Sequence, residues 1–260
     1  MYKTKIEFIQ DIQSIFKNPF YNSIIEHSFK INKSSVNNNR CIFMLYKYAY
    51  PHKKSNSKIP TYTFFKKNDI LSKINETKYY KPHLFQKFIS DTLFNNTCKC
   101  LILGVDIDNN ILKMYLSLKN NNKDTSIMRC MEIGNDGKEK YKLYDSIDSK
   151  EHFHYINNLI LGKDQYILNK HLDDIYDWGY YRNDITNNKQ FIYGLDILID
   201  KPLFEIKPKI LKIIQEFNLF NLNNVRIMKF LEDYSDKTLF WLGVNYKNKK
   251  CELCLYYREI

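Results

Sequence analysis

Twice in this chain an apolar run passes through glycine into a polar turn and returns as an alternating strand. The two clear copies are LILGVDIDNNILKMYLSL at 101–118 and LFWLGVNYKNKKCELCLYYR at 239–258. Weaker copies are MEIGNDGKEKYKLYDSI at 131–147 and FIYGLDILIDKPLFEIK at 191–207. Period-two patterning across a short polar turn specifies a β-hairpin, because successive strand side chains point to opposite faces. Repetition of the unit predicts hairpins lying side by side and closing into one sheet or barrel. Each return strand can then deliver Lys, Arg or Tyr to a common face, which suits an anion beside an aromatic cage.

The faces can be read residue by residue. In the first return strand Lys113, Tyr115 and Ser117 share one face, and Leu112, Met114, Leu116 and Leu118 the other. The apolar face should pack on helices, which turns Lys113 and Tyr115 toward the barrel interior. In the last strand Glu252, Cys254, Tyr256 and Arg258 oppose Leu253, Leu255 and Tyr257, and in the second hairpin Lys140, Lys142 and Tyr144 fall together. Solvent on the polar side would explain any one of these strands; recurrence over three hairpins favours a polar lumen.

Between the hairpins the period changes. Residues 4–17 place Ile6, Ile9, Ile12, Ile15 and Phe16 on one helical stripe ended by Pro19, and residues 20–28 read as a short second helix. Residues 40–50 read as a strand, 51–60 as a polar connector, and 61–65 as the partner strand. Residues 68–94 are helical with a break near Pro82, followed by hairpins at 100–119 and 128–147. A helix at 151–176, a hairpin at 190–207, helices at 208–218 and 222–233, and a hairpin at 238–258 complete the order, with Pro208 opening its helix. No Gly- or Ser-rich linker interrupts this order. The expectation is one α+β domain over 1–260: a closed antiparallel β-barrel of hairpins inside a ring of α-helices.

Forty basic against twenty-nine acidic residues give a net charge of +11, which favours anionic partners, although the basic residues are scattered and form no nucleic-acid arm. Cys98-x-Cys100 and Cys251-x-x-Cys254 have the look of zinc ligands. However, a strand sends residues 251 and 254 to opposite faces, so reduced structural thiols are the better reading. The amphipathic N-terminus is no secretory signal, and no segment approaches the roughly 20 apolar residues that span a bilayer. A soluble, cytoplasmic protein is expected. P-loop, G-x-G-x-x-G, G-x-S-x-G and H-E-x-x-H motifs are missing. DDIYD, with Asp173, Asp174 and Asp177, could hold magnesium diphosphate, face a cationic acceptor or simply end a helix in water. His152 and His154 read as surface histidines.

Several blocks, in order, resemble the cyanobactin peptide prenyltransferase family and its ABBA barrel. They are KIEFIQDIQSIF at 5–16, EHSFKI and NRCIFMLY within 26–46, LGVDIDNNILKMYLSLK at 103–119 and NDGKEKYKLYDSID at 135–148. IYGLDILIDKPLFEIK at 192–207 and FWLGVNYKNKKCELCLYYRE at 240–259 follow. Lys142 and Cys254 depart from the residue types of the family, and 151–190 matches poorly. The resemblance implies transfer of a prenyl group, dimethylallyl by preference, from its diphosphate to a side chain of a ribosomal, possibly cyclic, peptide. It implies Glu26 as the acidic residue of the acceptor site, Arg40 and Lys113 as diphosphate ligands, and Tyr256 among the tyrosines covering the allylic unit. Lys142, Lys207 and Arg258 join the diphosphate ligands, and Tyr115, Tyr144 and Tyr193 the shield. Bulky Phe191 and Tyr193 near the barrel wall argue for the short donor. Magnesium is expected with the diphosphate, with no dedicated protein ligands; a monomer is expected, with no nucleic-acid or membrane partner.

The chemistry agrees with that assignment. Ionising an allylic diphosphate creates a carbocation and a multiply charged leaving group. Preorganised Lys and Arg donors stabilise the second, π-faces stabilise the first, and a closed barrel excludes quenching water. A carboxylate can take the acceptor's proton. Two rival readings are a barrel acting on a small aromatic molecule and a basic module that binds nucleic acid through exposed aromatics.

Overall fold

The computed structural model describes residues 1–17, 21–49, 61–78, 80–94, 97–119, 126–147, 149–174, 179–186, 189–220, 224–247 and 250–258. Pro19, the 51–60 connector, Asp177 and the side chain of Phe191 lie outside the described residues. In chain order the elements are α1 (Lys5–Phe16), β1 (Tyr21–Asn32), β2 (Val36–Ala49), β3 (Thr61–Thr63), α2 (Lys67–Glu76) and α3 (Pro82–Thr92). Then come β4 (Cys98–Asp106), β5 (Ile111–Lys119), β6 (Ser126–Ile133), β7 (Glu139–Ile147), α4 (Lys150–Leu161) and α5 (Gln165–Leu172). The last are β8 (Gly179–Thr186), β9 (Lys189–Pro202), α6 (Leu203–Glu216), α7 (Asn224–Asp233), β10 (Thr238–Lys247) and β11 (Lys250–Arg258).

The strands form one sheet in the order β1-β11-β10-β9-β8-β7-β6-β5-β4-β2-β3, and β1 also pairs with β2. The sheet therefore closes on itself as an antiparallel barrel, with β3 an extension on the end of β2. Helices flank it as expected. No helix among the described residues is long and apolar enough to cross a membrane.

Two compact units are distinguishable, Met1–Ile25 with Asn39–Lys142, and Glu26–Asn38 with Leu143–Ile260. In the first, α1, α2 and α3 bury a layer of aliphatic and aromatic side chains against Phe43, Leu45, Leu101, Leu103, Leu112, Met114 and Leu116. The Leu112/Met114/Leu116/Leu118 face is thus the helix-packed one. Thr4 caps α1 by accepting the Glu7 amide proton (3.0 Å). The buried stripe of α1 is Phe8, Ile12 and Phe16, a clean i, i+4, i+8 row, so Ile6 falls on the solvent side at 66% exposure. The β6–β7 turn uses Gly137 at φ +71°, a left-handed position that glycine adopts without steric cost.

In the second unit, α4, α5, α6 and α7 cover Leu195, Ile197, Leu242, Val244, Leu253, Leu255 and Tyr257. Three readings need correction. Residues 21–32 are a strand, not a helix: Glu26, His27, Ser28 and Phe29 are buried in succession, so both faces are covered and no period-two polarity shows. The stretch 191–207 is no hairpin. It continues as one strand, β9, to Pro202, with an irregularity at Asp200 (φ +47°), and pairs with β8; α6 already begins at Leu203 with Pro208 inside it. Lys207 therefore sits on a helix. The buried side of α6 (Leu203, Ile206, Ile210) packs in the core that covers Ile197, on the opposite face of β9 from Asp196.

Candidate functional site

On the first unit, strand pairing arranges the face away from the helices in rows. Arg40 stands opposite Asp106, which stands opposite Ile111. The next row is Ile42, Gly104, Lys113 and Glu132; the next Met44, Ile102, Tyr115 and Cys130; the next Tyr46, Cys100, Ser117 and Met128. Successive rows are about 6.7 Å apart, two strand residues. The charged side chains fall in the first two rows. The last two are mainly apolar: Met44, Cys100 and Ile102 form a buried cluster on which Ile24, Ile42, Tyr46, Tyr115 and Met128 pack. Along the strands the face grades from cationic to hydrocarbon-like within two rows.

Glu132 organises the charge. Its Oε1 accepts from Lys113 Nζ at 2.9 Å and from Lys142 Nζ at 2.5 Å, with Glu132 and Lys113 only 7% and 6% exposed. Arg40 Nε lies 3.4 Å from Asp106 Oδ2. Asp106 also accepts from the Asn109 amide and side chain, which ties the β4–β5 turn to the cluster. Burial pushes the Glu132 carboxyl up, but the two ammonium groups outweigh it and hold the group well below the usual carboxylate range. Burial, reinforced by Arg40, brings the Lys113 ammonium down to about 8 against the pull of Glu132. Three cations face two carboxylates, a surplus of one positive charge on a buried face. A Cβ on Gly104 would meet Ile42 Cγ2 at 3.1 Å and Lys113 Cβ at 3.4 Å, so the glycine leaves room for the lysine stem.

On the second unit the corresponding strand faces are polar and aromatic. Glu26 stands opposite Arg258 in the β1–β11 register, and its Oε1 accepts from Nε at 2.8 Å and pairs with Nη2 at 2.7 Å. Its other oxygen, Oε2, is buried with no hydrogen-bond partner among the described residues. Burial raises the Glu26 carboxyl to about 7, against Arg258 and with the help of Asp196. The Arg258 guanidinium lies over the Phe240 ring. Trp241 and Tyr180 pair at 5.8 Å between ring centroids.

Sequence reasoning missed Arg182. It is 5% exposed, bonds Asp196 Oδ1 (3.0 Å), the Leu195 carbonyl (2.9 Å) and Asn245 Oδ1, and sits at a bulge in β8. Asn245 passes on to Glu252 (2.8 Å), which Lys30 pairs at 2.7 Å. Tyr144, Tyr193 and Tyr256, three of the four expected shield residues, are within electrostatic reach of its guanidinium. The signal for it was glycine: a Cβ on Gly194 would stand 3.1 Å from Arg182 Cζ, and one on Gly243 would stand 2.7 Å from Asp196 Oδ1.

Of the expected residues, the first unit brings together Arg40, Lys113 and Lys142, with Tyr115 one row on. The second pairs Glu26 with Arg258 and gathers Tyr144, Tyr193 and Tyr256 around Arg182. Lys207 joins neither group, because α6 carries it on the helix side of β9. Among the described residues no three His, Cys, Asp or Glu side chains could hold a metal ion. Asp173 pairs with Lys150 (2.8 Å) and Asp174 with Lys209 (2.6 Å). Cys98 packs in the helix-side core and Cys100 in the apolar cluster of the opposite face, so that pair diverges.

No family model and no curated protein matches the sequence. The fold is similar to that of the NotF prenyltransferase, with a TM-score of 0.54 at 9% identity, covering 90% of this chain and 80% of that one. AnaPT from Neosartorya fischeri gives 0.52 at 10% identity, covering 91% of this chain and 78% of that one. At such identities the likeness is one of fold: the chain has the antiparallel barrel and flanking helices of the ABBA prenyltransferases.

Proposed function

We propose that this chain transfers a prenyl group from an allylic diphosphate to a side chain of a ribosomal peptide. The observation that carries the reading is the row gradient of the first unit. Arg40, Lys113 and Lys142 supply a buried positive surplus, and the next rows supply Met44, Ile102, Tyr115 and Met128. An anionic head with a short hydrocarbon tail is the ligand whose polarity matches that face. Fold likeness to a prenyltransferase supports the same reading.

In this reaction the allylic C–O bond breaks with its electron pair passing to the diphosphate oxygen. The allylic carbon bonds to a nucleophilic atom of the acceptor, and the acceptor's proton is released. The cationic rows lower the first barrier by stabilising the leaving group in a site of low dielectric. Tyr115 offers its ring to the developing cation. Glu26, buried and raised to about 7, has the basicity to take the proton near neutral pH. Dimethylallyl is the donor we favour, on the resemblance of sequence. The peptide acceptor rests on the sequence resemblance. We read the protein as a cytoplasmic monomer. Magnesium belongs in this reading to the diphosphate, and no step is assigned to it.

Mass spectrometry tests the reaction. The full-length protein is incubated with magnesium, dimethylallyl or geranyl diphosphate, and a panel of linear and cyclic peptides and free aromatic molecules. One added prenyl unit on a peptide supports the reading. Addition only to free aromatic molecules would replace the acceptor class, and no addition with no diphosphate binding would overturn it.

A further inference from the structure

Tyr80 is a fully buried tyrosine that the mechanism above does not use, in the segment joining α2 to α3. Its ring stacks on Phe85 (5.3 Å, 24°) inside the apolar helix layer. Its hydroxyl crosses that layer to the sheet and meets all four polar backbone groups of one rung. The amides of Lys113 (3.0 Å) and Gly104 (3.3 Å) donate to it, and its one proton is shared between the carbonyl oxygens of Gly104 (3.0 Å) and Lys113. Gly104 and Lys113 are directly paired in the β4–β5 ladder. On this side neither residue has a side chain in the way: glycine has none, and that of Lys113 points to the opposite face, where it meets Glu132.

The segment that presents Tyr80 is itself fastened. Thr77 Oγ1 stands 2.7 Å from the Ile74 carbonyl oxygen and 2.6 Å from that of Tyr80, and its one proton is shared between them. The Lys78 amide donates to Asp11 of α1, which also accepts from the Tyr2 hydroxyl at 2.6 Å. Burial keeps the Tyr80 phenol protonated far above neutral pH, so its donor is retained. A lone hydroxyl in such a core must satisfy its hydrogen bonds locally, and here it does so on the backbone of a residue proposed to bind the donor.

We propose that Tyr80 is a positioning residue: it fixes the Gly104–Lys113 rung from the helix side and thereby sets where the Lys113 ammonium stands on the opposite face. This rests on the reading of the Arg40/Lys113/Lys142 cluster as the diphosphate site. The test is a double-mutant cycle in the full-length protein with Tyr80→Phe, Lys113→Met and both. It is read by calorimetric binding of inorganic diphosphate and of a non-ionisable dimethylallyl thiodiphosphate, alongside urea unfolding. Tyr80→Phe keeps the ring and removes the hydroxyl, and it should weaken both ligands by roughly three- to tenfold, the worth of one hydrogen bond. In the Lys113→Met background the same change should weaken them no further, because the group it positions is gone. Equal weakening in both backgrounds, or none in either while the hydroxyl's loss lowers stability, would reduce Tyr80 to a structural role. Failure of the unaltered protein to bind either ligand would instead overturn the diphosphate reading, a separable outcome.

Discussion

Lys113→Met is the substitution whose outcome the cluster geometry constrains most tightly. Three cations face two carboxylates, and the change removes the single surplus charge. It strands no carboxylate, because Lys142 stays on Glu132 at 2.5 Å. Methionine has a similar length and joins a face that already holds Ile42, Tyr115 and Met44. Exchanging part of a buried ion cluster for apolar packing is commonly neutral or stabilising, so the urea midpoint should stay at or above that of the unaltered protein. Binding should behave otherwise. A unit charge about 4 Å from an anionic oxygen contributes about 4 kcal/mol at an effective dielectric near 20. Loss of one preorganised donor costs about 10²–10³ in kcat. Lys113→Met should therefore lose about two to three orders of magnitude in turnover and bind inorganic diphosphate far more weakly in calorimetry. Glu132→Gln raises the surplus instead, so it should bind diphosphate more tightly while unfolding more readily. A stable Lys113→Met protein with unaltered diphosphate affinity would refute the charge argument.

Four further outcomes follow from the structure. The Lys113 ammonium is down at about 8 from 10.5, so diphosphate affinity should fall as pH rises through 8. Stability should rise between about 8 and 10.5, where the unfolded chain holds the extra proton. Glu26, raised from 4.5 to about 7, contributes stability that is complete below 4.5 and lost as pH rises through 7; urea titrations of Glu26→Gln should lack that loss. Arg182→Met leaves Asp196 without the cation it pairs at 2.9 Å, and should lower stability by about 3–5 kcal/mol in urea unfolding. Lys207→Ala should leave diphosphate affinity unchanged in calorimetry, since Lys207 lies on α6 and takes no part in the ion pairs of the Arg40/Lys113/Lys142 cluster.

The hairpin at 100–119 was legible because its return strand β5 packs one face on helices, so Leu112, Met114, Leu116 and Leu118 alternate cleanly with Lys113, Tyr115 and Ser117. The same rule fails where both faces are buried. At 26–29 the run Glu-His-Ser-Phe is covered throughout, and polarity no longer reports orientation. β8 escaped notice for a related reason: Arg182 and Asn183 are buried polar residues at a bulge, bonded to partners on other strands and not to neighbours in sequence. Lys207 was misplaced because IDKPL looks like a turn, whereas the chain passes from β9 into α6 at Pro202. Of the cation cluster, Arg40, Lys113 and Lys142 could be named in advance. Their organiser Glu132 could not, since nothing local marks it as the carboxylate that Lys113 and Lys142 share. The glycines were visible as a repeated feature, but their reason appears only across strands, where Gly104, Gly194 and Gly243 face a neighbour's bulky or charged side chain.

The most direct test of the account is transfer itself, followed by mass spectrometry with dimethylallyl diphosphate and the peptide panel, the unaltered protein run beside Lys113→Met. The account predicts one added prenyl unit on a peptide with the first and turnover lower by about two to three orders of magnitude with the second. An unmodified panel with the unaltered protein, joined to an unchanged melting temperature in the presence of the thiodiphosphate analogue, would contradict it.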